Sequence, residues 1–184
     1  MEHTEVLLIG GRAGVGKTTV GWEISAQLRA AAVPHAVIDG DFMGSVHPAP
    51  EGDPDRSEVT ECNLRDVWAN FSRRGYRRLI YTNTVSVLPE ATGMFERALG
   101  DGARMVRVLL TATDATARER LLGRELGSEL ESEFRSSVRK ARLLEERVHA
   151  DTVRVATDGR PVVDIARETV AVTGWTGNRS IGGA

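Results

Sequence analysis

The sequence is poor in cysteine, carries no excess charge of either sign and has no long apolar run; each shortage removes a class of protein. A single cysteine, Cys62, in 184 residues rules out an internal disulfide framework and suits a reducing compartment. With 24 Lys and Arg against 26 Asp and Glu, and a formal net charge of -2, no global field favours nucleic acid or an anionic membrane. Any polyanion site has to be local. The apolar run "VLLI" (6–9) is too short for a membrane span or a signal core and lacks a basic flank. A cytoplasmic protein without membrane partners is the expectation. There is no internal repeat, and the length suits one α/β domain with a core of its own.

What is present is an alternation of apolar runs with helical periodicity. "EVLLIG" (5–10) reads as a central parallel strand buried on both faces. Val20, Ile24, Leu28 and Ala31 give the helix that follows, over 17–32, and Pro34 stops it. "HAVIDGD" (35–41) is a second strand ending in two carboxylates. Residues 44–56, rich in Pro, Gly and Asp, form a loop. A helix over 57–75 opens on Ser57 as its cap. A strand over 77–85, a helix over 89–100 opened by Pro and closed by Gly, and a strand over 103–113 follow. Residues 114–150 read as a long charged helical region broken near "RELGSEL", where Gly123 and Gly127 permit a bend. The last strand (152–157) and helix (162–172) precede a loop-like, mobile tail over 173–184, in which Trp175 is the residue able to pack. This alternation predicts a parallel sheet with helices on both faces and ligands at the carboxyl ends of its strands.

"GGRAGVGKTT" (10–19) sits at such a strand end. Glycine there costs conformational entropy on folding, and the economical reason for so many is that the backbone itself approaches a ligand. Gly11, Gly16, Lys17 and Thr18 match the Walker A spacing between a strand and a helix, the context that confirms it. Amides from Gly14 through Val15 and Gly16 to Thr18 converge on phosphate oxygens, and the dipole of the helix adds to them. Lys17 reaches the β- and γ-phosphates, Thr18 ligates Mg²⁺, and Thr19 touches the α-phosphate. Arg12 lies in a variable slot and carries no weight.

A phosphate cradle does not separate an ATPase from a kinase. In "VIDGDFM", Asp39 and Asp41 can divide the holding of a hydrated Mg²⁺ and the removal of a proton from an acceptor hydroxyl. Two further absences sharpen this. The third strand, "RRLIYTNT", has no acid at its end to serve as a Walker B aspartate, and no Asn-Lys-x-Asp segment is present for guanine. The metal's carboxylate must come from Asp39 or Asp41, with Asp39 the ligand. Thr82 and Asn83 are balanced between substrate binding and satisfying backbone. Farther on, Arg120 and Arg124 share one helical face, as do Arg135, Arg139 and Arg142. A segment bearing them can close over a γ-phosphate, with Arg120, Arg124 and Arg135 the candidates.

Together these pieces resemble the small P-loop kinases of the adenylate kinase superfamily, in the branch of shikimate kinase, gluconate kinase, adenylylsulfate kinase and chloramphenicol phosphotransferase. The likeness runs from residue 5 to about 172. "GRAGVGKT" carries it, and "IDGD", the lid arginines and "VATDGRP" support it. It implies a three-layer α/β/α P-loop NTPase fold with a five-stranded parallel sheet of order 2-3-1-4-5, a helical lid over about 114–150, and ATP with Mg²⁺. It also implies transfer of the γ-phosphate to a small-molecule hydroxyl. Asp39 and Asp41 would serve metal and acceptor, Arg120 or Arg124 the adenine and Arg135 the phosphates. The "TDGRP" loop around Asp158 and Pro161 would cradle the base. The Gly-Gly substrate motif of shikimate kinases is absent after the third strand, which leaves the acceptor open. The loop over 42–60, with His47 and Asp53, is the expected acceptor wall. Two other readings stand behind this one: an ATP-driven regulatory module and, ranked last, a nucleic-acid end kinase using Arg73, Arg74, Arg77 and Arg78 without an aromatic platform. A monomer and a homodimer are both compatible with the sequence.

Overall fold

Val6, Leu7, Leu8 and Ile9 are all fully buried, so the strand that holds them needs neighbours on both edges and cover on both faces. The computed structural model, which describes residues 3–124 and 129–177, supplies both. This strand, β1 (Glu5–Gly10), pairs in parallel with β3 (Arg78–Thr82) on one side and β4 (Arg104–Thr111) on the other. Strand β2 (Ala36–Asp39) lies outside β3, and β5 (Val153–Ala156) outside β4. The order is β2-β3-β1-β4-β5, as the family resemblance implies.

Successive side chains of β1 feed two separate cores. Leu7 and Ile9 meet Ile24 and Leu28 of α1 (Lys17–Ala30) and Ile165, Ala166 and Val170 of α6 (Val162–Ala171). Val6 and Leu8 meet Leu64 and Trp68 of α2 (Ser57–Ser72), Phe95 and Leu99 of α3 (Thr92–Leu99) and Leu144 of α5 (Leu130–Arg147). Three layers result, with the carboxyl ends of all five strands on one edge. No described helix is long and apolar enough to cross a membrane.

Local chemistry moved several boundaries. The second strand stops at Asp39 because its carboxylate accepts the Asp41 amide at 3.1 Å and starts a 3-10 turn over Gly40–Phe42. The expected helix over 89–100 is a 3-10 turn (Pro89–Ala91) leading into α3. The charged region splits into α4 (Asp114–Leu122) and α5; Gly127 lies outside the described residues. Ser57 is not the cap of α2. Arg56 occupies that position with φ 58 and no capping bond from its side chain, and the capping oxygens come from Asp53, which accepts the Val59 amide and the Ser57 hydroxyl, each at 3.1 Å. The signal in "DPDRS" was an aspartate four residues upstream of the serine chosen.

Trp175, 6% exposed, closes the α1/α6 core; its amide bonds the Thr173 hydroxyl at 3.0 Å. Residues 178–184 of the expected tail lie outside the described residues. Trp175→Ala should cost about 3–5 kcal/mol, read as a lower urea midpoint with an unchanged slope. Wild-type stability in that variant would show that the indole is not part of the core.

Candidate active site

Between β1 and α1 the chain folds into a loop with amides to spare. The Gly11 amide bonds the Thr84 carbonyl at 3.2 Å and the Val15 amide bonds the Arg12 carbonyl at 3.3 Å. Among the described residues the amides of Gly14, Gly16, Lys17 and Thr18 make no hydrogen bond. Gly16, with φ 99, caps α1 without a side-chain acceptor, so the positive end of the helix dipole is left open beside them. Gly14 is glycine for a further reason: at φ 83, an added Cβ would lie 2.5 Å from the Ala117 carbonyl oxygen of α4. Ligand approach alone does not account for the glycines; packing against α4 sets one of them.

Lys17, 7% exposed, donates through Nζ to the carbonyls of Gly11 at 2.9 Å and Arg12 at 3.3 Å. Burial lowers its pKa; the carboxylates of Asp41 and Asp39 oppose the shift, and Arg124 and Lys140 add to it. Positive charge from Arg124 and from Lys140 of α5 thus reaches Lys17, and no sequence motif marks Lys140.

A polar chain runs across the strand ends. The Thr18 hydroxyl donates to Asp39 Oδ2 at 3.0 Å, Asp39 Oδ1 accepts the Asp41 amide, Asn83 Nδ2 donates to Asp41 Oδ1 at 2.9 Å, and Asn83 Oδ1 accepts the Val85 amide at 3.0 Å. Gly40 sits against Tyr81, whose ring occupies the place of a Cβ; the glycine of "IDGD" is set by this contact. The Tyr81 hydroxyl has its pKa pushed up by burial and then by Asp41 and Asp39, so it stays protonated. Asn83 thus bonds both Asp41 and the backbone; Thr82 is buried, its hydroxyl without a partner among the described residues.

Two cavities flank this chain. The smaller, about 310 Å³, is lined by Gly14, Gly16, Thr19, Arg120, Arg124 and Arg160. The larger, about 740 Å³, opens on the other side of Asp41 between α2 and α3. Open amides, a buried ammonium and an adjoining cavity fit the triphosphate that the motif implies. For a metal, no group of three or more His, Cys, Asp or Glu converges among the described residues. The Thr18 and Asp39 oxygens form a hard donor pair of the kind Mg²⁺ supplements with phosphate and water.

No family model matches the chain, and no curated protein matches it in sequence. Solved structures do match. A gluconokinase from Sinorhizobium meliloti superposes with a TM-score of 0.56 at 20% identity, covering 93% of this chain and 92% of the other. A tunicamycin resistance protein from Deinococcus radiodurans gives 0.63 at 18%, covering 94% and 96%. APS kinase from Mycobacterium tuberculosis, in complex with AMPPNP and APS, gives 0.54 at 19%, covering 94% and 98%. The chain has the three-layer α/β/α P-loop fold.

Within that P-loop fold, the arginines separate. Arg120 is a strut: Nη1 donates to the Val15 carbonyl at 3.0 Å and the Thr157 hydroxyl at 2.9 Å, and Nη2 to the Thr157 carbonyl at 3.0 Å. Arg124 lines the same cavity. Arg135 is exposed on α5 and lines neither cavity. Pro161 begins α6 with its carbonyl accepting the amides of Asp164 and Ile165; its neighbours Arg160 and Val162, not Pro161, line the cavity. Asp158 accepts the Thr113 amide at 3.0 Å and hydroxyl at 2.8 Å, stapling the loop after β5 to the start of α4. His47 lines a separate outer depression with Arg56.

Arg12 is the residue that the sequence missed. It is 3% exposed, pairs with Asp114 of α4, donates through Nε to Ser137 of α5 at 2.8 Å and lies 6.0 Å from the Phe134 ring. Ser137 in turn donates to the Ala13 carbonyl at 2.8 Å. The loop is thereby tied to both helices of the expected lid. Partners 102 and 125 residues away leave no local signal.

Ser137→Ala strands two buried groups and should lower stability by about 1–3 kcal/mol, read by urea unfolding; a neutral result would show that the tie is idle. Hydrogen bonds from the Thr116 hydroxyl and the Thr113 amide, opposed by burial, hold Asp158 at about 2 against its ordinary 3.8. A depressed carboxylate contributes stability that is complete above 3.8 and lost as pH falls through about 2. The stability gap between wild type and Asp158→Asn should accordingly shrink across that window, and a constant gap would refute the assignment.

Proposed function

We propose that the protein is an ATP-dependent small-molecule kinase that transfers the γ-phosphate to an acceptor hydroxyl. The observation that carries this is the polar chain Thr18–Asp39–Asp41–Asn83, which joins an open phosphate cradle on one side to a cavity of about 740 Å³ on the other. A switch ATPase has no use for a carboxylate aimed into a second cavity of that size.

In this reading Lys17 leaves the carbonyls of Gly11 and Arg12 for the β- and γ-phosphates, and the amides of Gly14 to Thr18 hold the phosphate oxygens. Thr18 and Asp39 hold Mg²⁺, which supplies charge neutralisation across the phosphates. Asp41, oriented by Asn83, takes the acceptor's proton as its oxygen bonds the γ-phosphorus. The bond to the β,γ-bridging oxygen breaks, and its electron pair leaves with ADP. Arg120 positions the nucleotide side through Val15 and Thr157, Thr19 and the residues flanking Pro161 shape that cavity, and Arg124 with Lys140 adds positive charge near Lys17. Arg135 contributes only if α5 closes inward. The gluconokinase and APS kinase likenesses support the reaction class.

A panel of hydroxylated metabolites and natural products with ATP and Mg²⁺, followed by mass spectrometry for a product heavier by one phosphoryl group, tests the reaction. Asp41→Asn should bind ATP like wild type and lose about 10²–10⁴-fold in transfer. Lys17→Ala should lose transfer and weaken nucleotide binding together. ATP loss that no acceptor stimulates, unchanged in Asp41→Asn, would overturn the proposal.

A further inference from the structure

The larger cavity has a charge balance of its own. Asp41, Asp55, Glu58, Glu61 and Glu90 line it, against two guanidiniums, Arg56 and Arg97. Arg97 is clamped by Glu61 in the cavity wall, Nη2 to Oε2 at 2.8 Å and Nε to both oxygens at 3.1 Å, so the two charges largely offset each other. Arg56 spends its Nε on the Val46 carbonyl at 2.9 Å, and Glu90 is paired with Arg147. Asp55 and Glu58 are exposed and, among the described residues, their side chains have no hydrogen-bond or ion-pair partner. The remaining wall mixes apolar side chains, Val85, Leu88, Ala91 and Met94 over a buried Phe95, with the neutral polar groups of Thr60, Asn83 and Ser86.

These walls discriminate by charge. A carboxylate, sulfate or phosphate entering here would meet an excess of like charge and one guanidinium already engaged in part, and like-charge juxtaposition is a strong rejecting element. A cation would find two unpartnered carboxylates at the α2 side, with a greasy floor under the rest of it. Resting on the kinase reading above, we propose that the phosphoryl acceptor is a hydroxylated organic cation. Its protonated amine lies against Asp55 and Glu58, its apolar body lies on Val85, Ala91 and Met94, and its hydroxyl meets Asp41. The cavity is large enough for an acceptor well beyond a simple sugar.

A matched series isolates charge from shape: an aryl amino alcohol bearing a primary hydroxyl, its neutral N-acetyl derivative and its anionic N-succinyl derivative. Each is measured twice against the full chain, by calorimetric binding without nucleotide and by transfer with ATP and Mg²⁺. The expected order is cation, neutral, anion, with at least about a tenfold spread between the ends that narrows as salt is raised. In the Asp55→Asn/Glu58→Gln variant, KM for the cation should rise about tenfold with kcat held, while KM for the N-acetyl compound stays put. Arg56→Gln separates the opposite case, since loss of anion binding there would mean that this guanidinium, not the carboxylates, selects the acceptor. Equal binding of all three, tighter binding of the anion, or binding of none overturns the inference. Selective binding of the cation without transfer leaves the charge preference standing and counts against the kinase reading, so the two failures are told apart.

Discussion

A buried ammonium has to be matched, and Lys17 is matched only by the carbonyls of its own loop and by two carboxylates beyond them. That requirement organises the edge of the sheet. β1 has to be central so that its end delivers the loop; β2 has to lie one strand beyond β3 so that Asp39 comes within a hydrogen bond of Thr18. Among the described residues the amides of Gly14, Gly16, Lys17 and Thr18 are then left without acceptors, the condition under which a loop is suited to receive an anion.

The carboxylates are not interchangeable once placed. Asp39 turns one oxygen to Thr18 and the other to the Asp41 amide, so it faces the cradle. Asp41 is held by Asn83 and lines the larger cavity. One peptide link, Gly40, separates the two environments, and the Tyr81 ring packed against it fixes the angle between them. The pair is split between two chambers by backbone direction and not by any difference in side-chain chemistry.

Wherever a property depended on short-range pattern, the sequence made it readable. The run of β1, the helical spacing of α1, the Walker A spacing and the two acids after β2 all lie within a few residues of what they specify. Strand order followed from the resemblance carried by those same motifs. What stayed hidden depends on contacts between distant segments. Arg12 looks like filler because its partners are on α4 and α5, and Lys140 influences Lys17 from α5; the cap of α2 is the local exception, with Asp53 four residues before Ser57 supplying the oxygen that the serine was expected to give. The charge of the acceptor wall was illegible too, since residues from α2, the turn after β3 and α3 become neighbours only when the two cores close.

The strut of Arg120 and the staple of Asp158 lock the smaller cavity's side of the edge to β5 and α4, whereas the larger cavity draws its walls from other elements and reaches toward that side at Asp41. The molecule is thus modular at the scale of a single residue. Side chains on α2 and α3 can be exchanged without disturbing the loop after β1 or the helices tied to it, so the two halves of the edge are free to diverge at different rates.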